Sequence, residues 1–308
     1  MSSMIYKKKT PLLVFLIPAF VFLIAYLYYP FIQNVINTFL DIGGLGRAAE
    51  GLNDPWYSNY VELFRDPDLR TALKNTVILT VFTVVFQVGI ALILALLVDS
   101  IRVGGKVFRT VYFFPIVISA TALGLMFNLM FLYKGGMINQ LLLNMGALPY
   151  EVKENGRMIV EWIDWKDSRH FMFTMFLPVI WQYVGFYFVI LITGLNNIPE
   201  ELFEAAAIDG AYGLKKVWYI TLPMLRNVLC TCLVLAITGA LKVFDLPWVM
   251  FGAGMPQNMG WLTGTYMYDQ TFNKMNVDYG STIAVLIVVL GVVLSNVANR
   301  VFKPTEDY

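Results

Sequence analysis

Cysteine, histidine and charge are all scarce in this chain. Of 308 residues, two are cysteines (Cys230 and Cys232) and one is a histidine, His170. Thiols two positions apart on an apolar helix point in different directions, so they read as buried and unpaired. One histidine builds no metal site, and no Ser/His/Asp or Cys/His set is available for nucleophilic catalysis. The sequence also lacks a G-x-x-x-x-G-K-[ST] phosphate loop; Gly104-Gly105-Lys106-Val107 misses both the hydroxyl residue and the upstream glycine. Paired acids such as Asp66 and Asp68 sit in a polar connection, where they read as solvated. The chain is therefore expected to be no enzyme and to bind no cofactor or metal. A net charge of +1 gives no basic footprint for nucleic acid.

What is present is hydrocarbon. The chain is 58% hydrophobic and 14% charged, where a soluble domain carries about 25% charged residues. Six apolar segments of about 20 residues or more follow one another, each long enough to span a bilayer. They run from about Leu12 to Phe31, Thr71 to Val98, Thr110 to Leu132, Phe171 to Leu195, Met224 to Met250, and Gly280 to Val301. The first follows Lys7, Lys8 and Lys9 as a signal peptide would. It is longer than a signal core and no small-x-small site follows, so it reads as a retained span.

Basic residues set the orientation. With the N-terminus inside, the cytosolic pieces hold 11 basic residues (Lys7, Lys8, Lys9, Arg102, Lys106, Arg109, Lys215, Lys216, Arg226, Arg300, Lys303) against seven acids. The outer side, counting Lys74 at the start of the second segment with the outer connections, holds 10 basic and 13 acidic residues. Both termini are then cytosolic. The outer connections at 41–70, 133–170 and 251–279 are long; they either lie at headgroup level or form a docking surface.

One cytosolic stretch stands apart. Asn196 to Pro223 reads NNIPEELFEAAAIDGAYGLKKVWYITLP, and its charges bar it from the bilayer core. Pro199 suits a first helical turn, Glu200 and Glu201 complement the positive helix end, and Gly210 suits a left-handed stop. A second short helix is expected from about Ala211 to Tyr219, with Pro223 ending or bending it. The physics of this stretch allows either an amphipathic connector or a docking surface.

Glu204-Ala205-Ala206, Asp209-Gly210-Ala211 and Ile220-Thr221-Leu222-Pro223 resemble the EAA loop of binding-protein-dependent ABC importer permeases. Arg226-Asn227 stands where that family often has a second proline. The resemblance covers roughly Thr71 to the C-terminus. Phe114-Pro115 with Ser119 and Gly124, Gly136-Met137-Ile138-Asn139, Trp181-Gln182-Tyr183 and Val243-Phe244-Asp245 resemble the carbohydrate-uptake branch. It implies an all-α membrane protein of six transmembrane helices, with a cytosolic coupling-helix loop between helices four and five. Residues 1–70 would hold the first helix and an outer loop; residues 71–308 would form a five-helix permease core containing the 196–223 loop. The loop's Glu204, Ala205, Ala206, Asp209, Gly210 and Ala211 would couple to a cytosolic ATPase dimer, the partner that carries ATP and magnesium. A second six-helix permease and an extracytoplasmic solute-binding protein would complete a complex in the cell membrane.

Polar residues within the spans point to a path, since each needs a partner or a watery cavity. Candidates are Asn128, Trp181, Gln182, Tyr183, Tyr187 and Thr238, with Gln87, Thr231 and Lys242 nearby in type and depth. Aromatic faces with amide and hydroxyl groups suit a neutral sugar; equally, each side chain could bond to a neighbouring helix. Lys242 is expected to pair with Asp245 or to extend outward. Gly89, Gly124, Gly185, Gly239 and Gly291 would let helices approach closely, for stability or for sliding. An ABC permease for a non-sugar solute, a stand-alone secondary transporter and a substrate-free scaffold are the alternatives. The second would need repeats and membrane-centre acids, and neither is evident.

Overall fold

Among the described residues of the computed structural model, five helices are long and apolar enough to cross a membrane: Val14–Asn37, Pro67–Asp99, Phe171–Asn196, Arg226–Phe251 and Val277–Val301. A further crossing is available if the pair Gly105–Val117 and Ala120–Met130 counts as one span. The structure describes residues 9–101, 105–152, 158–254, 256 and 258–301. Of the charges used for orientation, Lys7, Lys8, Arg102, Lys153, Glu154, Arg157, Lys303 and the acids Glu306 and Asp307 lie outside these residues, as does Gly104.

The third segment differs from the straight helix its hydropathy suggests. Its two halves meet at 92°. The reason is local. Pro115, near the end of the first half, has no N–H to offer the helix ladder. Ser119 then takes extended backbone angles and accepts the N–H of Ala122 at 3.2 Å, which starts the second half afresh. The fifth segment is also interrupted: helix stops at Leu241 and resumes at Asp245.

The chain divides into two units. The larger, Pro67–Tyr266 with Ile287–Tyr308, is organised along the fourth span. Two apolar cores occupy its two ends. Toward Phe171, that residue, Met175 and Val179 pack with Leu79, Leu123, Phe127, Leu246 and Met250. Toward Asn196, Tyr187, Phe188, Leu191 and Leu195 pack with Ala91, Ala95, Leu225 and Ala236. In lipid, close packing rather than the hydrophobic effect holds helices together. Gly185 shows how close: a Cβ there would stand 1.7 Å from the Tyr112 carbonyl oxygen. At Gly124 an added Cβ would lie 2.8 Å from Val249.

The connections are not structureless. The 133–170 stretch holds a helix, Met137–Asn144, and a hairpin of Tyr150–Val152 with Met158–Val160. Asn139, fully buried, donates to the carbonyls of Leu132, Tyr133 and Ile163, and accepts the Trp165 indole N–H at 3.1 Å.

The smaller unit, Met1–Asp66 with Met267–Leu286, joins the first span to a short antiparallel pair, Leu40–Asp41 with Gly51–Leu52, and the helix Ser58–Arg65. Asn59 donates to Asp278 at 3.0 Å and to the Thr38 carbonyl at 3.2 Å; Tyr279 donates to Asp66 at 2.7 Å. Burial, together with Asp66 and Asp278 nearby, holds the Glu62 carboxyl above the usual carboxylate range.

Candidate functional site

Between the two cores of the larger unit, the fourth span presents Gln182, Tyr183 and Phe186 to open space. The cavity there measures about 270 Å³. Thr83 and Gln87 of the second span line it, with Ala120 at the restart of the third and Gly239, Lys242, Phe244 and Asp245 at the interruption of the fifth. Broken helices thus supply two of its walls, and the break also leaves a carbonyl that the helix does not use. Gln182 donates to that carbonyl, Ile118 O, at 3.4 Å. Gln87 donates to Val179 O at 2.9 Å. Each amide is thereby held by its nitrogen. Tyr187 is buried at the cavity edge, whereas Tyr183 is partly exposed.

Gln182, Tyr183 and Tyr187 therefore share this cavity, and Asn128, Trp181 and Thr238 do not line it. Asn128 lies nearer the Phe171 end, donating to Val249 O at 3.1 Å and accepting from Lys166 Nζ at 2.5 Å. Trp181 packs edge-on against Phe127, with ring centres 5.9 Å apart. Thr238 bonds to its own helix, at Val234 O and Leu235 O. Lys242 and Asp245 both reach the cavity wall, yet among the described residues no ion pair joins them. Lys166 was not singled out by its sequence; one of three lysines in a charged connection gives no such signal.

The second candidate site is the polar stretch after the fourth span. Pro199 takes the capping position and the helix runs Glu200–Ile208. Gly210 has φ +75°. Its N–H bonds to Ala207 O at 3.1 Å, and that of Ala211 to Ala206 O at 2.8 Å. This pair of bonds is the Schellman stop, which the left-handed glycine permits. The next helix begins later than expected, because Gly213 is also left-handed (φ +57°). It runs through a wide turn over Val217–Thr221 to Met224, with Pro223 in its last turn. Lys216 Nζ sits 3.8 Å over the Phe203 ring, tying the two helices together. Ala206 is buried beneath them; Glu204, Ala205, Asp209 and Gly210 are exposed. Ile208, Tyr212, Leu214, Trp218 and Tyr219 stand out as a large uncovered apolar surface.

Residues 87–307 match the family of binding-protein-dependent transport system inner membrane components. The chain is 32% identical to the probable ABC transporter permease protein YurN of Bacillus subtilis, over 95% of this chain and 96% of that protein. It is 31% identical to the osmoprotective compounds uptake permease protein GgtC of Synechocystis, over 94% and 98%. It is 30% identical to the arabinooligosaccharides transport system permease protein AraP of Bacillus subtilis, over 95% and 88%. A chain of a bacterial alginate ABC transporter, crystallised with an alginate pentasaccharide-bound periplasmic protein, superposes with a TM-score of 0.79 at 20% identity, over 96% of each chain. That last likeness is one of fold.

Proposed function

This chain belongs to the family of binding-protein-dependent transport system inner membrane components, and from that premise we propose that it moves a sugar, oligosaccharide or related polyol into the cell. It is a multi-pass membrane permease and not an enzyme. Relatives named for arabinooligosaccharides, lactose and multiple sugars support the solute class. The observation that carries it furthest in this chain is the cavity of Gln87, Gln182, Tyr183 and Tyr187. Rings to stack on a sugar face, with amides and hydroxyls to replace its water, are the groups a neutral polyol needs. With their nitrogens engaged, the two glutamines offer carbonyl oxygens to sugar hydroxyls. Asn128, Trp181 and Thr238 would belong to the approach rather than to the cavity wall.

In this reading both termini and the 196–223 loop are cytosolic, and residues 71–308 form the permease core. Glu204, Ala205, Ala206, Asp209, Gly210 and Ala211 engage a cytosolic ATPase dimer, which holds ATP and magnesium. A second six-helix permease completes the pathway, and an extracytoplasmic binding protein delivers the solute. ATP binding would shift the bundle between inward-open and outward-open states, with the loop helix moving as a rigid body. The exposed apolar surface around Ile208 and Leu214, at a polar loop, supports a protein partner there.

The test is uptake of labelled saccharides by cells lacking this chain and by the same cells with it restored. Loss and recovery of energy-dependent uptake for at least one saccharide is expected. Unchanged uptake across a panel of mono- and oligosaccharides, with loss for some other solute, would contradict the solute class.

A further inference from the structure

Lys166 projects from the 133–170 connection onto the ends of two spans. Its Nζ donates to Asn128 Oδ1 at 2.5 Å and to Met250 O at 2.9 Å, and lies 5.8 Å from the centre of the Phe251 ring. Asn128 in turn donates to Val249 O at 3.1 Å. These carbonyls close the short helix Asp245–Phe251. A cation at a helix C-terminus is favourably placed. The other end of that same helix, Asp245 and Leu246, lines the cavity. Ala120–Met130 packs along it, with Gly124 against Val249.

The lysine is not a loose surface side chain. Its backbone N–H is held by Asp164 Oδ1 at 2.9 Å. Trp165, next to it, is fixed through Asn139 and through Thr174, whose hydroxyl donates to Trp165 O at 2.7 Å. The ammonium is half-buried, and burial pulls its pKa below the usual lysine range, partly offset by Asp164. A charge kept where burial disfavours it must be compensated by its contacts.

We propose that Lys166 is a positioning residue that clamps the ends of the third and fifth spans together and so keeps the cavity closed toward the outer face. Opening the path outward requires that the Lys166 contacts with Asn128 and Met250 be exchanged for water. The inference rests on the orientation given above, in which the 133–170 connection is extracytoplasmic.

A cysteine at Gly239 tests it. That position lines the cavity, and an added Cβ meets nothing within 4 Å. A membrane-impermeant maleimide is applied to intact cells and, separately, to inside-out vesicles, and the labelling rate is read. In the Gly239→Cys background, Lys166→Met should label from outside about tenfold faster than the parent, a shift of a closed–open equilibrium. Lys166→Arg should restore slow labelling. Asp164→Ala should move the rate in the same direction by less, and it decides the matter if Lys166→Met does not fold. Slow labelling of buried Cys230 and Cys232 by a permeant maleimide, in the same substitutions without Gly239→Cys, verifies the fold of each variant. Unchanged outside labelling in both Lys166→Met and Asp164→Ala would overturn the clamp. Acceleration seen only in inside-out vesicles would overturn the orientation instead, leaving the clamp facing the cytosol. Neither readout involves ATP or a sugar.

Discussion

Gln182 joins structure and path in one side chain. Its nitrogen holds Ile118 O at the break of the third span, and its body lines the cavity. Replacing it with leucine leaves that carbonyl without its donor, at a cost of about 1–3 kcal/mol where buried. Removing the Tyr187 hydroxyl takes a polar group from the same wall. The double variant Gln182→Leu/Tyr187→Phe is expected to lower saccharide uptake by at least about tenfold, or about 1.4 kcal/mol, with membrane abundance retained. Normal uptake would favour a scaffold without a substrate. Gly185 makes a different prediction. Gly185→Ala drives a methyl group to 1.7 Å from Tyr112 O, which requires the helices to part and costs at least about 1–3 kcal/mol. The thermal midpoint of the purified chain should fall clearly; an unchanged midpoint would mean the contact is easily relieved. Single residues of this kind were partly legible. A glutamine or tyrosine in an apolar run stands out in the sequence, and Gly124 and Gly185 were legible as close-approach glycines, whereas Gly89 and Gly239, read the same way, have no neighbour within 4 Å of an added Cβ. The partners, Ile118 O and Tyr112 O, come from other helices, and nothing local encodes them.

At the scale of elements, legibility followed how local the cause is. The helix Glu200–Ile208 and its stop at Gly210 depend on a proline, two glutamates and one glycine, all within the segment, and they fold as those residues dictate. The next helix begins at Leu214 rather than Ala211 because Gly213, a second left-handed glycine, intervenes. Hydropathy averaged along the third segment is blind to direction, so its 92° bend was not legible, although Pro115 and Ser119 mark the place. The loop carries the coupling prediction. Gly210→Pro cannot adopt φ +75° and loses the bond to Ala207 O. Glu204→Lys reverses an exposed charge on the proposed contact face. Both should lower uptake at least about tenfold while the protein remains in the membrane at normal level. Normal uptake in both variants would remove the loop from the coupling role.

At the scale of the whole molecule, the amphipathic loop, the cavity and the long connections make sense as parts of an assembly. Among the described residues, none in the apolar window of the first span is buried. Five spans, or six with the bent pair, were legible because each is a long apolar run, and length alone decides that. Which helices pack together was not legible, since in lipid that depends on small-residue fit and on hydrogen bonds between distant residues. The most direct measurement is a gentle-detergent isolation of the chain from its native membrane, tagged at the C-terminus, with every co-purifying protein identified. Stoichiometric recovery of an ABC ATPase and a second six-helix permease, lost in Glu204→Lys for the ATPase alone, is the predicted result. Recovery of the chain by itself or as a homodimer, with no ATPase even after mild cross-linking, would contradict it and point to a transporter that works alone.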